Sequence, residues 1–150
     1  MEMLDRFSTF TVLVDKLKRS IRRIKTGEMA EFELKSPHVS CLYYLYRYDT
    51  LTSTELVEIC KEDKASVSRS IEFLEVNGYV TCNQELHKRY KSPFILTEKG
   101  KAVAKKVVDK VDRILDEASR GLSEDERNTM YRCMAVISAN LDNMCGEYEE

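Results

Sequence analysis

The chain has 150 residues, of which 43% are hydrophobic and 33% charged, enough for one compact module with a core. Only 5 Gly, 2 Pro and no Trp exclude a disordered chain and an all-β fold, both of which need more turn residues, and favour long helices. The net charge of -2 is unevenly spread: residues 61–106 hold ten Lys+Arg against six Asp+Glu, whereas residues 107–150 hold five against eleven.

Phe7, Phe10, Val14, Leu17, Ile21 and Ile24 recur at spacings of three and four, which predicts a helix with a narrow apolar seam for another helix. The basic residues beside that seam (Lys16, Lys18, Arg19, Arg22, Arg23, Lys25) read as a solvated face. Gly27 permits a break. Ser36-Pro37 reads as an N-cap followed by proline at the first helical position, and this second helix runs through Val39, Leu42 and Leu45 to about Tyr48.

Thr52-Ser53-Thr54-Glu55 is a capping box, in which hydroxyl and carboxylate satisfy each other's backbone donors. It opens a short helix with Leu56 and Ile59 inward, ending near Cys60-Lys61. Asp63 can cap the next helix, whose Val67, Ile71 and Leu74 share one face and which stops at Asn77-Gly78. Tyr79 to Cys82 and Phe94 to Leu96 read as two strands, joined by the basic loop Asn83 to Ser92. Thr97 caps a long helix (Val103, Val107, Val111, Ile114, Ala118) that Gly121 closes. A second capping box, Ser123 to Glu126, opens a last helix with the seam Met130, Met134, Ile137, Leu141 and Met144.

That order predicts a mainly α (α+β) fold, a winged helix-turn-helix with a two-stranded β-hairpin wing. Residues 36–100 form the DNA-binding lobe, 97–121 a connecting helix, and 1–30 and 122–150 the dimerisation helices. A recognition helix must present small, polar or basic residues to base edges. Lys64, Ala65, Ser66, Ser68 and Arg69 supply them opposite the buried stripe. Thr52, Ser53 and Thr54 at the start of the preceding helix join them, while Glu72 and Glu75 repel phosphate and end the contact. At the wing tip, Lys88, Arg89, Tyr90 and Lys91 beside His87 reach for phosphate or the minor groove.

Asp63 to Val80 resembles the recognition-helix pattern D-K-x-x-V-[ST]-R-x-[IV]-x-x-L-E-x-x-G-[YL]-[IV] of the multiple-antibiotic-resistance regulator (MarR) family. Leu96-Thr97-Glu98-Lys99-Gly100 is similar to that family's L-T-x-x-G. The resemblance covers nearly the whole chain. It implies a homodimer on a palindromic double-stranded DNA operator, acting as a repressor that a small effector releases. One departure concerns the wing: an Asp-x-Arg pair is frequent in the family, and Lys88-Arg89-Tyr90-Lys91 contains no such Asp to orient Arg89. By the same analogy, an organic effector would lie in a cleft lined by Arg22, His38, Cys41 and Leu42. Oxidant sensing through Cys41, among Tyr43, Tyr44, Tyr46 and Tyr48, is a weaker expectation, because sensors of that kind carry the thiol on the first helix, which here has no Cys.

Other chemistries find little support. His38 and His87 lack ligand spacing, so no metal is expected. No phosphate-cradling glycine loop, G-x-S-x-G or zinc-protease motif is present, so neither an enzyme nor a cofactor is expected. No apolar run approaches the ~20 residues of a bilayer span. Glu2 and Asp5 beside Met1 do not fit a secretory signal. Five widely spaced cysteines fit reduced thiols in the cytoplasm. The rival function is a winged-helix module used only for protein–protein assembly, which the basic residues Lys64, Arg69 and the wing oppose.

Overall fold

The computed structural model describes residues 5–82 and 92–148. It divides into two compact units, residues 1–111 and 112–150.

The first unit opens with a helix capped by Asp5, whose carboxylate accepts the Phe7 and Ser8 backbone N–H groups at 2.9 and 3.2 Å. Ser8–Leu13 is π-helical and continues into α1, Val14–Glu28. The widened turn coincides with hydroxyls that bond back to main-chain carbonyls, Thr9 to Asp5 and Thr11 to Phe7. Such back-bonding competes with the regular ladder. The expected seam is thus a regular 3.6-residue stripe only from Val14 onward.

After a 3-10 turn, Ala30–Phe32, comes α2, Ser36–Tyr48. Its N-cap is Lys35 rather than the expected Ser36, with Pro37 at the second helical position. The reason is His38, whose Nδ1 accepts the Lys35 backbone N–H at 3.0 Å. An imidazole thus performs the carboxylate's half of a capping box.

The expected two-stranded hairpin belongs to a three-stranded antiparallel sheet. Besides β2 (Val80–Cys82) and β3 (Phe94–Leu96), a two-residue strand β1, Thr50–Leu51, pairs with β3, giving the order β1-β3-β2. Thr50 faces Ile95 and Leu51 faces Phe94; on the other side Val80 faces Leu96 and Cys82 faces Phe94. Alternation along β3 buries Phe94 and Leu96 and leaves Ile95 half-buried.

Between β1 and β2 lie α3, Ser53–Cys60, and α4, Lys64–Val76. Leu42, Leu45, Leu56, Val67, Ile71, Leu74 and Phe94 meet in one core with Met29 and Leu34 from the segment after α1. The long helix α5, Glu98–Ala118, adds Ala104 and Val107 to it. Lys110 reaches the Glu28 carbonyl at 3.0 Å and the Glu31 carboxylate at 2.6 Å, joining α5 to the end of α1.

The second unit contains the end of α5, a turn at Gly121 (φ 95°) and α6, Glu124–Gly146. The Ser123–Glu126 capping box is formed in both directions, at 3.1 and 2.7 Å. Met130, Met134, Ile137, Leu141 and Met144 on α6 are exposed, as are Val14, Leu17, Ile21 and Ile24 on α1. No helix among the described residues is long and apolar enough to cross a membrane.

Candidate nucleic-acid interface

Two helices joined by a tight turn form the candidate site, and each end of each helix is fixed by a local interaction. The Thr52 hydroxyl accepts the Glu55 N–H at 3.2 Å, and the Glu55 carboxylate accepts the Thr52 N–H at 2.7 Å. Lys61, at φ 54°, ends α3 in a left-handed conformation, and Asp63 then caps α4 by accepting the Ser66 N–H at 2.8 Å. The connection is therefore only Lys61-Glu62-Asp63.

At the far end of α4 the chain makes a Schellman turn. The Tyr79 N–H donates to the Leu74 carbonyl at 2.8 Å and the Gly78 N–H to the Glu75 carbonyl at 3.0 Å, with Gly78 at φ 76°. The residues after β3 lock this turn. The Thr97 hydroxyl donates to the Gly78 carbonyl at 2.5 Å, the Thr97 N–H to the Tyr79 carbonyl at 3.0 Å, and Lys99 Nζ to the Asn77 carbonyl at 2.8 Å. The same Thr97 oxygen accepts the Gly100 N–H at 3.0 Å and so starts α5. Gly100 sits against the Tyr79 carbonyl oxygen, where a Cβ would come within 1.9 Å. This contact gives the Leu96-Thr97-x-x-Gly100 motif its physical meaning: strand, cap and a helix start that only glycine fits.

Within this frame α4 is divided sharply. Val67, Ser70, Ile71 and Leu74 are buried, whereas Lys64, Ala65, Ser68 and Arg69 are exposed together along its first two turns. Ser66 is half-buried beside the cap. Ser53 and Thr54 of α3 and Lys64 and Ser68 of α4 line one open groove of about 800 Å³ floored by Val57, Val67, Ile71 and Phe94. The α4 side of that groove ends in Glu72 and Glu75, so its charge changes from basic to acidic along the helix. Thr52 is half-buried, with its hydroxyl engaged in the cap. The wing residues Lys88, Arg89, Tyr90 and Lys91 lie outside the described residues.

The four residues expected to line an effector cleft differ in exposure. Cys41 and Leu42 are core residues, 1% and 0% exposed, and His38 is 9% exposed, while Arg22 lies on the exposed surface of α1. His38 stacks flat on Phe73 of α4, ring centroids 4.0 Å apart. Burial, and secondarily the Lys35 charge, holds its pKa below the usual histidine value. The neutral ring is the one that can accept through Nδ1.

Two residues of this frame were not singled out by the sequence. Lys99 lies over the Tyr79 ring at 4.7 Å while holding Asn77. Ser70, 2% exposed, sits between Val67 and Leu74 on the buried face. Ser70 falls at the spacing of that stripe but is polar, whereas Lys99 reaches Asn77 across 22 residues.

Comparison with known proteins agrees with this architecture. The winged helix DNA-binding domain family matches residues 38–115. An uncharacterised HTH-type transcriptional regulator of Bacillus subtilis (strain 168), YybA, is 23% identical over 130 residues, 86% of each chain. The structure of NMB1585, a MarR family regulator from Neisseria meningitidis, superposes with a TM-score of 0.82 at 15% identity, covering 96% of this chain and 99% of that one. The S. aureus MepR–DNA complex superposes at 0.79 with 17% identity, covering 88% and 97%. The chain belongs to the winged helix DNA-binding domain family and has the fold of the MarR-family regulators.

Proposed function

We propose that the chain is a cytoplasmic homodimeric transcriptional regulator, a repressor that reads a palindromic operator by laying α4 in the major groove. The observation that carries this reading is the exposed group Lys64, Ala65, Ser68 and Arg69 on a helix whose two ends and buried face are fixed. Small residues allow close approach, Ser68 can bond to base or phosphate, and Arg69 suits a guanine edge. The α3 start, with Ser53 and Thr54, would meet the backbone, and the basic wing would flank the site. The existence of a DNA complex for MepR, which shares this fold, supports the same use of the surface.

The dimer reading rests on the apolar residues that α1 and α6 expose within their own units. Segments 1–30 and 122–150 would pair across a two-fold axis, with residues 97–121 connecting them to the lobe 36–100. Recognition helices then enter successive major grooves when ~34–36 Å apart. An organic effector acting at Arg22, His38, Cys41 and Leu42 would have to open packed side chains, three of the four being buried. It would therefore select a rearranged lobe with altered helix spacing. Releasing the operator a hundredfold needs about 2.7 kcal/mol of differential affinity.

Titration of labelled duplexes across a salt series tests the central claim. A steep negative slope of log affinity on log salt is expected, with sequences selected from a random library bound 10³-fold or more tighter than random duplex, a ratio of roughly the usual size. Absence of any salt-dependent duplex binding would leave the protein-assembly reading in its place.

A further inference from the structure

A second groove, which shares no residue with the candidate interface, opens between the end of α2, the sheet and the start of α5. It encloses about 840 Å³, the size of a small-ligand site. Tyr46 and Asp49 from the end of α2 line one side, and Lys101 and Lys105, one turn apart on α5, line the other; Ile95 and Leu96 of β3 lie between them. None of Arg22, His38, Cys41 and Leu42 lines it. We propose that this groove binds a zwitterion, an α-amino acid or dipeptide with an apolar side chain, holding its ammonium on Asp49 and its carboxylate on Lys105.

Asp49 is unusual in both backbone and side chain. At φ 64° and ψ -52° it lies near the strained γ-turn geometry rather than in the left-handed helical region. β1 holds it there, because the next two residues, Thr50 and Leu51, are paired with Ile95 and Phe94. Backbone strain enforced in this way by the surrounding structure clusters at binding sites. The Asp49 carboxylate makes no hydrogen bond or ion pair with any described residue, although two ammonium groups line the other side of the groove.

The two cations differ. Lys101 pairs at 3.4 Å with Glu98, which also lines the groove, so these two charges cancel there. Lys105 pairs at 3.0 Å with Asp109, which does not line it. The Asp109 bond, and less strongly the Tyr46 phenol, raises the Lys105 pKa, so its charge is fixed. Both side chains of that pair are more than 60% exposed. Exposed pairs contribute little, and a ligand carboxylate can take this ammonium over. A simple anion would meet Asp49, and a simple cation would meet Lys105. A ligand carrying both charges satisfies both sides with charge-assisted bonds. Tyr46, 37% exposed, and the half-buried Ile95 offer its apolar side chain a surface.

The groove adjoins the lock at the end of α4. Leu96 and Glu98, both in its lining, flank Thr97, whose hydroxyl and N–H donate to the Gly78 and Tyr79 carbonyls. A ligand that bridges Asp49 and α5 therefore acts on both neighbours of the residue that holds the last turn of α4. This route does not depend on what α4 binds.

Calorimetric titration of the full chain with L-phenylalanine and with L-phenylalanyl-L-phenylalanine measures the binding, and the tighter probe tells how far apart the two charges are held. Saturable binding of one probe per chain is expected, weakened about tenfold or more by Asp49→Asn and by Lys105→Gln. Both positions are exposed and asparagine tolerates positive φ, so both variants should fold. Each charge is then removed from the ligand instead. The N-acetyl form of the probe should bind more weakly and no longer respond to Asp49→Asn; its C-terminal amide should bind more weakly and no longer respond to Lys105→Gln. Absence of saturable binding by either probe at millimolar concentration overturns the site, as does binding that neither variant weakens. Equal losses for both modified probes in both variants overturn the orientation. In isotope-labelled protein the Asp49, Ile95 and Gly78 amides should shift with one midpoint, and a Gly78 amide unmoved at saturation overturns the link to α4.

Discussion

Replacing Gly100 with alanine separates two opposite expectations. Judged only as a helix residue, Gly100→Ala should stabilise the protein by about 0.8–1.0 kcal/mol, the difference in helix propensity. Its surroundings reverse the sign. The new Cβ would lie 1.9 Å from the Tyr79 oxygen and 2.8 Å from the Tyr79 carbonyl carbon, where Cβ contacts under 3.0 Å essentially never occur. Helix and carbonyl must therefore part by at least 1.1 Å, the difference between 3.0 and 1.9 Å. The carbonyl cannot swing aside freely, because it accepts the Thr97 N–H at 3.0 Å and Thr97 also holds Gly78. Overpacking of this kind costs about 1–3 kcal/mol, here toward the upper end. One weakened backbone bond adds about 1 kcal/mol. After the helix gain is subtracted, a net loss of about 2–3 kcal/mol remains, or roughly 4–12 °C in Tm for a chain of this size. Thermal and urea unfolding followed by circular dichroism at fixed protein concentration provide the assay. Gly27→Ala is the internal control: nothing lies within 4 Å of its Cβ position in α1, so it should be neutral or stabilising. A Tm for Gly100→Ala equal to or above that of the parent would refute the packing argument. Operator affinity of the folded fraction should also fall, since the displaced carbonyl belongs to the turn that ends α4.

Arg69→Ala should cost about 1–3 kcal/mol at the operator and relax preference at one base pair per half-site. Lys88→Ala should weaken all duplexes alike and reduce the salt slope by about one, and identical behaviour of the two variants on specific and random DNA would contradict this division. Because the folded His38 pKa lies below its unfolded value of 6.5, the unfolded chain binds more protons between the two. The neutral ring's contribution is thus complete above 6.5 and is lost as pH falls through the folded value. His38→Gln can still accept the Lys35 N–H, so its unfolding free energy should lack this acid-side decline; parallel pH profiles for the two proteins would exclude the role. Asp63→Ala removes the α4 cap and should cost about 0.5–2 kcal/mol, measured by urea unfolding. Sedimentation should find a dimer at micromolar concentration, and a folded monomer would remove the role assigned to the α1 and α6 seams.

Interactions that span three or four residues were legible before any coordinates. The capping boxes at Thr52 and Ser123, the Asp63 cap, the Gly78 stop and the buried face of α4 all follow from side chains one turn apart. So does the exposed group from Lys64 to Arg69, because a helix that buries Val67, Ile71 and Leu74 must present those residues elsewhere. By contrast, α5 buries Gly100, Ala104 and Val108 beside the expected Val107 and leaves the expected Ala118 exposed. Even within that range, Ser36-Pro37 misled, because histidine is not an expected capping partner and His38 moved the N-cap to Lys35. What tertiary structure alone decided joins residues distant in sequence. Thr97 meets Gly78 across 19 residues, Lys99 meets Asn77 across 22, and Lys110 meets Glu28 across 82. β1 is two residues long and exists only because β3 supplies its partner, so it has no period to read. Likewise Cys41, Leu42 and His38 could be placed on α2 from sequence, but only the packing of α3 and α4 over that helix determined that they face a closed core. Periodicity tells which face of a helix is apolar; what covers that face depends on contacts that no local spacing encodes.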